Sequence, residues 1–515
     1  VNQTVVLKAT NAKSVYTYLH SEQKAIFNSK VTGGDIIHTE NHFNDFTVQS
    51  LLPNYLSRQG PCMAKADVNK DGREDLFIGG AKGSPGQLSI QNAGGDFALS
   101  KQPDMIKDSL AEDVSAVFFD ANGDGYPDLY VGSGGYEFDE TDILLQDRLY
   151  INNGKGDFVK AGNALPQMLT STGCVKAADI DGDGDMDLFV GGRVVPGKYP
   201  MAPESYILLN DGGGKFTNAA SAIAPSVKNI GMVTDALWTD LNKDGKSDLI
   251  IVGEWMPIKV FINTNGKLED ASAKYIHFAS SGWWNKILAD DFDGDGDADI
   301  IIGNLGANAQ FRASQKEPLS IYYKDFDGNG SVDPIFCYYI NGVSYPAASR
   351  DDLMEQLPVL KKKFNNYSSY ANATIKDIFS PEQLKDAGLL SVEMLSTVYL
   401  QNNGDSVFVM NSLPQEAQYA PVCAIASADV NKDGKKDIIL AGNNAWTRIK
   451  FGRYRANHGI MLAGDGKGGF NYVPQYKSGL KLRGDVRSMD FIRVGNKDLL
   501  TVGMNNAALI SYSFD

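Results

Sequence analysis

The chain has little of what most enzymes use for acid–base and nucleophilic work. Its 515 residues include only five histidines, His20, His38, His42, His277 and His458, and four cysteines. No histidine stands in a recognisable motif with a cysteine or serine, and neither a Gly-rich phosphate loop nor a zinc-ligand spacing is present. The cysteines build no disulfide framework. Cys62 and Cys174 stand five residues before the first aspartate of a repeated loop, and Cys423 six before. They hold similar strand positions in different repeats, which runs against the geometry of a bridge, and they read as small buried residues. Positive charge is also short: 48 Lys and Arg against 63 Asp and Glu give a net charge of -15, which argues against a nucleic-acid partner. No apolar run approaches the length of a membrane helix, so no transmembrane segment is expected. The chain opens on Val1 without a methionine or a signal-peptide pattern, and this end reads as cut or processed.

What the chain has in abundance is aspartate, and it is placed periodically. Seven nine-residue segments keep Asp at position 1, Asp or Asn at 3 and 5, Gly at 6 and Asp at 9. With the carbonyl-donating position 7 included, the candidate ligands are Asp67, Asn69, Asp71, Arg73 and Asp75; Asp120, Asn122, Asp124, Tyr126 and Asp128; and Asp179, Asp181, Asp183, Asp185 and Asp187. Next come Asp240, Asn242, Asp244, Lys246 and Asp248; Asp291, Asp293, Asp295, Asp297 and Asp299; Asp325, Asp327, Asn329, Ser331 and Asp333; and Asp429, Asn431, Asp433, Lys435 and Asp437. Alternating carboxylates around a sharp glycine turn suit a calcium ion, which takes roughly six to eight oxygens at about 2.3–2.6 Å. Positions 1, 3, 5 and 9 carry 23 carboxylates. Left without counter-ions they would repel one another at a heavy cost in folding free energy. Seven Ca²⁺ ions are therefore expected, which would bring the chain close to neutrality. An eighth segment, "DFIRVGNKD" from Asp490, keeps the ends but lacks acidic residues at positions 3 and 5, and reads as a repeat that no longer binds metal. Many structural calcium loops of modest affinity suit a calcium-rich exterior.

The first aspartates are spaced 53, 59, 61, 51, 34, 104 and 61 residues apart. Each repeat has an apolar lead-in strand, the acidic loop, a second apolar strand such as "LFVGG" or "IIIGN", a variable loop and a closing hairpin such as "RLYINNGKGDFVK". Asn-Gly and Asp-Gly turns between apolar strands are strong hairpin signals. Four antiparallel strands per unit make a β-propeller blade, so the fold class is all-β. Seven strand pairs give seven blades, with the Asp325 segment as an outer hairpin carrying its own ion. In the alternative, Asp325 opens an eighth blade. "NDFTVQSLLP" (44–53) is expected to pair with the C-terminal "ALISYSFD" and close the ring. Residues 35–515 form the propeller, and 349–395 form a helical insertion on the face opposite the metal loops. It leaves the fourth strand of its blade and opens helices with Asp351 and Asp352 and with "SPEQLKDAG".

These repeats resemble FG-GAP/VCBS repeats, the calcium-loop blades also found in integrin α-subunit propellers, from about Asp35 to the end. "TENHFNDFTVQSLLPNYLSRQGP", "GGRVVPGKYP", "IYYKDFDGNGSVDPIFCYYINGVSYPAASRDDL" and "YANATIKDIFS" are similar to the C-terminal propeller of large Bacteroidetes cell-surface proteins that carry an ASPIC/UnbV domain. "VNQTVVLKATNAK" is similar to the tail of that domain, so residues 1–34 read as such a tail or a linker. The resemblance implies calcium at the loop positions and a location at the cell surface or outer membrane, as for a lipoprotein or secreted protein whose anchor is not in this chain.

Strand order places the loops between strands two and three, and between blades, on the face opposite the metal loops. Those loops offer Arg193, Tyr199, Trp255, Trp283, Trp284, Asn304, Trp446, Arg448, Arg453 and Tyr454. Aromatic and arginine side chains over a rigid ring are what a glycan or protein contact uses. No catalytic residue is assigned. The expected function is a non-catalytic, calcium-stabilised scaffold that binds a glycan or a surface protein. Two alternatives stand beside it. One is a polysaccharide lyase or sugar dehydratase using Asp235, Lys286, Asp485 and Arg487 along the central channel. The other is a structural module of an outer-membrane uptake assembly, with a transporter complex as partner.

Overall fold

The structure is a computed structural model and describes residue 10 and residues 24–30, 36–404 and 407–514. Most of the segment read as a preceding-domain tail, 1–34, lies outside the described residues. Among the described residues, eight antiparallel sheets build the molecule, seven of four strands and one in which a short fifth strand, Gly282–Trp283, pairs with Asp248–Met256. Seven of them have first strands that lie side by side in sequence order: Met63–Ala66, Asp113–Phe119, Ser171–Ala178, Met232–Thr239, Lys286–Asp290, Val422–Ala428 and Val486–Val494. The seventh of these strands packs back against the first, so blades 1–7 close a ring.

Why the second strands are apolar along their whole length follows from the radial arrangement. Successive side chains of a strand point to opposite faces, and here each face meets a different blade. In blade 4, Leu249 and Ile251 enter the core shared with blade 3, while Ile250 and Val252 enter the core shared with blade 5. In blade 3, Leu188 and Val190 face blade 2 and Phe189 faces blade 4. Seven such cores, one per blade interface, make up most of the buried apolar surface. Each fully buried Leu, Ile or Phe contributes about 1.5–3 kcal/mol to folding.

Ring closure differs from the expected one. The strand that pairs with Ile510–Phe514 is Phe27–Lys30, with Phe27 opposite Phe514, not the 44–53 segment. Phe27 is buried and lies edge-on to Tyr512 at 6.2 Å, so this short strand carries a large apolar anchor. The 44–53 segment is instead a 3-10 turn, Asp45–Thr47, followed by irregular chain lying across the face opposite the ring's acidic loops. Buried Asp45 holds it in shape by accepting hydrogen bonds from the Leu56 and Ser57 amides at 2.5 and 3.0 Å.

The eighth sheet is an insertion between the second and third strands of blade 5, Asp299–Gly303 and Val398–Asn402. Its strand order is Val343–Pro346, Asp333–Ile340, Leu319–Lys324, Gly388–Val392. The helical segment does not leave the fourth strand of a blade. Its short helices, Arg350–Gln356 and Pro381–Lys385 among them, sit between two strands of this inserted sheet. Both open with capping boxes, on Ser349 and Ser380. Arg448 pairs with Asp352 at 2.9 Å, which sets the first helix against the loop after strand two of blade 6. The Asp325 loop also leaves the company of the other six. Gln49 donates to its Val332 carbonyl at 2.8 Å and to the Tyr199 carbonyl of blade 3 at 3.2 Å. At Asp490 the acidic loop is gone: Val494 and Lys497 are paired residues of a tight hairpin.

Candidate functional site

In six blades the acidic loop joins the first strand to the second, and the inserted sheet repeats this at Asp325. Position 1 is locked by the loop backbone. Asp179 accepts from Gly182 and Gly184 at 2.7 and 3.1 Å, and Asp325 accepts from Gly328 and Gly330 at 2.7 and 2.8 Å. These glycines have positive φ, +83° and +96° at Gly182 and Gly184, a region that favours glycine. Carboxylate oxygens gather within 4.8 Å of one another in three loops: Asp179, Asp181 and Asp187; Asp291, Asp293 and Asp295; and Asp325, Asp327 and Asp333. The loops from Asp67, Asp120, Asp240 and Asp429 have Asn at position 3 and the Asp325 loop has Asn329 at position 5, so each carries one carboxylate fewer at positions 1, 3, 5 and 9 than the loops from Asp179 and Asp291. The donor set is all oxygen, the chemistry a hard cation selects.

Position 9 does more than its spacing suggested. Its seven aspartates, Asp75, Asp128, Asp187, Asp248, Asp299, Asp333 and Asp437, are all buried. In blade 3, one Asp187 oxygen accepts from the Ile180 amide at 3.0 Å and the other from the Asn210 amide on strand three at 2.8 Å. Blades 1, 2, 4, 5 and 6 repeat the pattern, for example Asp248 with Leu241 and Asn263 at 2.9 and 2.7 Å. Burial pushes the carboxyl pKa of Asp187 up to about 6, against the pull of those amides. The strand-three residue then crosses to the neighbouring blade. Asn152, Asn210 and Asn263 donate to the Val68, Ala121 and Ile180 carbonyls at 2.8, 2.9 and 2.8 Å. Each acceptor is position 2 of the preceding blade's acidic loop, so loop, blade and ring are stitched by one repeated side chain.

The ten residues proposed for ligand contact divide into five groups. Tyr199 and Trp255 are buried in one network, with Trp255 donating to the Tyr199 hydroxyl at 2.6 Å and Tyr199 donating to Glu254 at 2.6 Å. Trp255 has φ +60°, unusual for a bulky residue. Trp284 and Asn304 are fully buried: Trp284 donates to the Ser280 carbonyl at 3.0 Å and Asn304 to the Met394 carbonyl at 3.1 Å. Trp446 and Arg448 grip the chain's own 50–58 segment. Arg448 donates to the Ser50 carbonyl at 2.6 Å, and Tyr55 donates its amide to the Trp446 carbonyl at 2.8 Å. Arg453 is exposed. Arg193, Trp283 and Tyr454 line a cavity of about 270 Å³.

That cavity lies at the end of the ring axis away from the six acidic loops. Its wall is the beginnings of the first strands, and residues from Pro53 to Pro61 help to line it. The five-before-loop position that carries Cys62 and Cys174 also carries Ser115, Asp235 and Lys286, and all five line the cavity. Asp235 accepts from Lys176 and Lys286, each at 3.0 Å. Burial alone would raise its pKa, but the two ammonium groups outweigh it and hold the carboxyl below its ordinary value. Arg193 pairs with buried Glu254, and Arg487 lies 3.7 Å from Asp485. Lys176, Arg58, Asn285 and Ser488 escaped the sequence reading. Arg58 was missed because it lies beyond the 44–53 stretch read as the closing strand, where no element or loop was assigned. Lys176 was missed because it stands three residues before its loop rather than five.

Three stretches, 67–131, 140–190 and 240–302, match the FG-GAP-like repeat. Cartilage acidic protein 1 of Xenopus tropicalis is 22% identical over 310 residues, covering 54% of this chain and 45% of that protein. Phosphatidylinositol-glycan-specific phospholipase D of Bos taurus is 28% identical over 163 residues, 27% of this chain and 19% of that protein. The chain thus spans less than half the length of these curated relatives. Among solved structures, YCF48 bound to D1 peptide aligns over 93% of this chain and 100% of that one, at TM-score 0.42 and 10% identity. The Vibrio cholerae biofilm matrix protein Bap1 aligns over 95% of this chain and 91% of that one, at TM-score 0.35 and 10% identity. Among the described residues, no helix is long and apolar enough to cross a membrane.

Proposed function

Starting from a β-propeller that carries FG-GAP-like repeats, we propose that the chain is a calcium-stabilised, extracytoplasmic binding module that receives a glycan or a surface protein without transforming it. The repeated acidic loop carries this reading. Its oxygen donors are gathered and its position 9 is already tied into strand three. A calcium ion at each of the seven loops would neutralise the crowded carboxylates and add its binding free energy to the folded ring alone. A calcium-rich compartment outside the cytoplasm, at the cell surface or outer membrane, would keep such loops filled.

The axial cavity is the receiving end in this reading. It is concave, built on rigid strands and edged by aromatic residues, as small-ligand sites are. The lyase alternative has the right neighbours in Lys176, Lys286 and Asp235, yet the charges oppose it. Burial lowers the pKa of Lys176, but Asp235 outweighs it and leaves the pKa raised, which disfavours the neutral amine that a general base needs. A glycan array combined with an assay for unsaturated products on the same polysaccharides tests the reading. Retention without product is expected. Product formation that Lys286→Ala abolishes would replace the binding module with an enzyme.

A further inference from the structure

The cavity's charge and its unmet hydrogen bonds say more about the ligand than its shape does. The chain as a whole is acidic, at -15, yet this wall is basic. Arg58, Lys176, Arg193, Lys286 and Arg487 line it, against the single carboxylate of Asp235. Arg193 has Glu254 and Arg487 has Asp485. Lys176 and Lys286 must share Asp235, which leaves a positive charge uncompensated at that point of the wall. A second, independent observation concerns polar atoms. Five lining residues each hold a buried polar atom without a protein partner: Arg58 Nε, Arg193 Nη1, Asn285 Nδ2, Tyr454 Oη and Ser488 Oγ. Three of these are pure donors. Arg193 is only 7% exposed. A buried donor left unpaired is costly, and a wall of donors with surplus positive charge is matched by a ligand rich in acceptors and bearing negative charge.

Resting on the binding-module reading, we propose that this cavity binds a hexuronate-class sugar acid, as a free monosaccharide or as the end residue of an acidic glycan. The carboxylate meets Lys286 and Lys176. The hydroxyl oxygens accept from Asn285 and Arg193, and the apolar face of the ring lies toward Trp283, Phe311 and Tyr454, which line the same space. A cavity of about 270 Å³ sits just under the roughly 300–1,000 Å³ of small-molecule sites, which suits one sugar ring rather than a chain passing through.

The test is calorimetric titration of the full chain in calcium, at fixed ionic strength, with glucuronate, galacturonate, glucose, galactose, sulfate and a glucuronate-ended oligosaccharide. Glucuronate or galacturonate should bind at least about tenfold more tightly than the matching neutral hexose, the size of effect one charge-assisted hydrogen bond supplies. Lys286→Met leaves Asp235 paired with Lys176 and should weaken that binding about tenfold while calcium-dependent melting is unchanged. Asn285→Ala, which alters no charge, should weaken it by a smaller factor, and Arg455→Ala on the exposed loop should not change it. Binding of the oligosaccharide as tight as that of the monosaccharide supports the proposal and assigns the ligand to glycan ends; preference for the monosaccharide supports it with a free sugar acid. An equal response to sulfate or to the neutral hexose overturns it, as does uronate binding that survives both cavity variants. Retention of neutral glycans on the array without uronate preference overturns this proposal alone and leaves the binding-module reading in place.

Discussion

The guanidinium of Arg58 lies 3.8 Å over the ring of Trp446, joining the segment that lines the axial cavity to the longest loop of blade 6. Tyr55 packs edge-on to the same indole at 5.8 Å. The exposed-looking loop read as a partner-binding surface is thus occupied by the chain itself. Trp446→Ala should loosen residues 44–59 without opening the ring. A cation–π contact of this kind contributes on the order of 0.5–2 kcal/mol. Faster amide exchange confined to that segment is expected, and unchanged exchange there would refute the assignment.

Two aspartates of one loop should respond differently to a chelator. Asp183 is exposed at position 5, and Asp183→Ala should lower the melting temperature in calcium but not in chelator. Asp187 also satisfies the Ile180 and Asn210 amides. Asp187→Ala leaves both unpaired, at about 1–3 kcal/mol each, and should destabilise the protein in either condition. Melting curves of both variants with and without calcium check this, and chelation of the unaltered chain should lower its melting temperature reversibly.

Asn263 donates to the Ile180 carbonyl of the preceding blade and to the Ser247 carbonyl of its own, at 2.8 and 3.2 Å. Asn263→Leu removes the stitch between blades 3 and 4. A cost of about 1–3 kcal/mol is expected for the stranded carbonyls. Asn152→Leu, at a different blade interface, should add independently in the double variant. Denaturant titration of the two single variants and the double variant measures this.

Glu40 is buried at 6% exposure against Asn505 and Asn506. Burial pushes its pKa from 4.5 up to about 7, opposed by Asn505, Arg58 and Arg487 and assisted by Glu137. Glu112, also buried, is raised beside it, while His38 is lowered to about 4 by burial and Arg487. The folded chain therefore keeps a proton on Glu40 that the unfolded chain releases. Stability from this group is full below pH 4.5 and is lost as pH rises toward 7, by at most about 1.4 kcal/mol per pH unit. Glu40→Gln should gain stability relative to the unaltered chain across that window, in saturating calcium so that the loop carboxylates cancel in the difference. An equal offset at pH 5 and pH 8 would refute it.

Blades were legible because their determinants are local. An acidic loop of fixed spacing followed by at least three apolar residues needs no distant information, and the "III" of "IIIGN" has to be buried on both sides. The closing strand was not legible, because "FNSK" at 27–30 has one apolar anchor and no alternation, and its partner lies more than 480 residues away. The packing behind the aromatic loops was not legible for a related reason. Trp255 and Trp283 read as loop residues in sequence, but the inserted sheet brings Phe336 against both rings, at 5.6 and 6.3 Å, which buries Trp255 and leaves Trp283 on the cavity wall. The axial wall was half legible, since the register that groups Cys62 with Cys174 also holds Asp235 and Lys286.

Closure of blade 7 by Phe27–Lys30 has a consequence for how the molecule is made. A ribosome delivers that strand more than 480 residues ahead of its partner, Ile510–Phe514, so Phe27–Lys30 must wait, unmated, while the six intervening blades are made. Throughout that interval the final sheet does not exist and the wheel stands open between its first and sixth spokes. Any cellular factor that shields a lone strand end would therefore act on this protein during synthesis rather than after it.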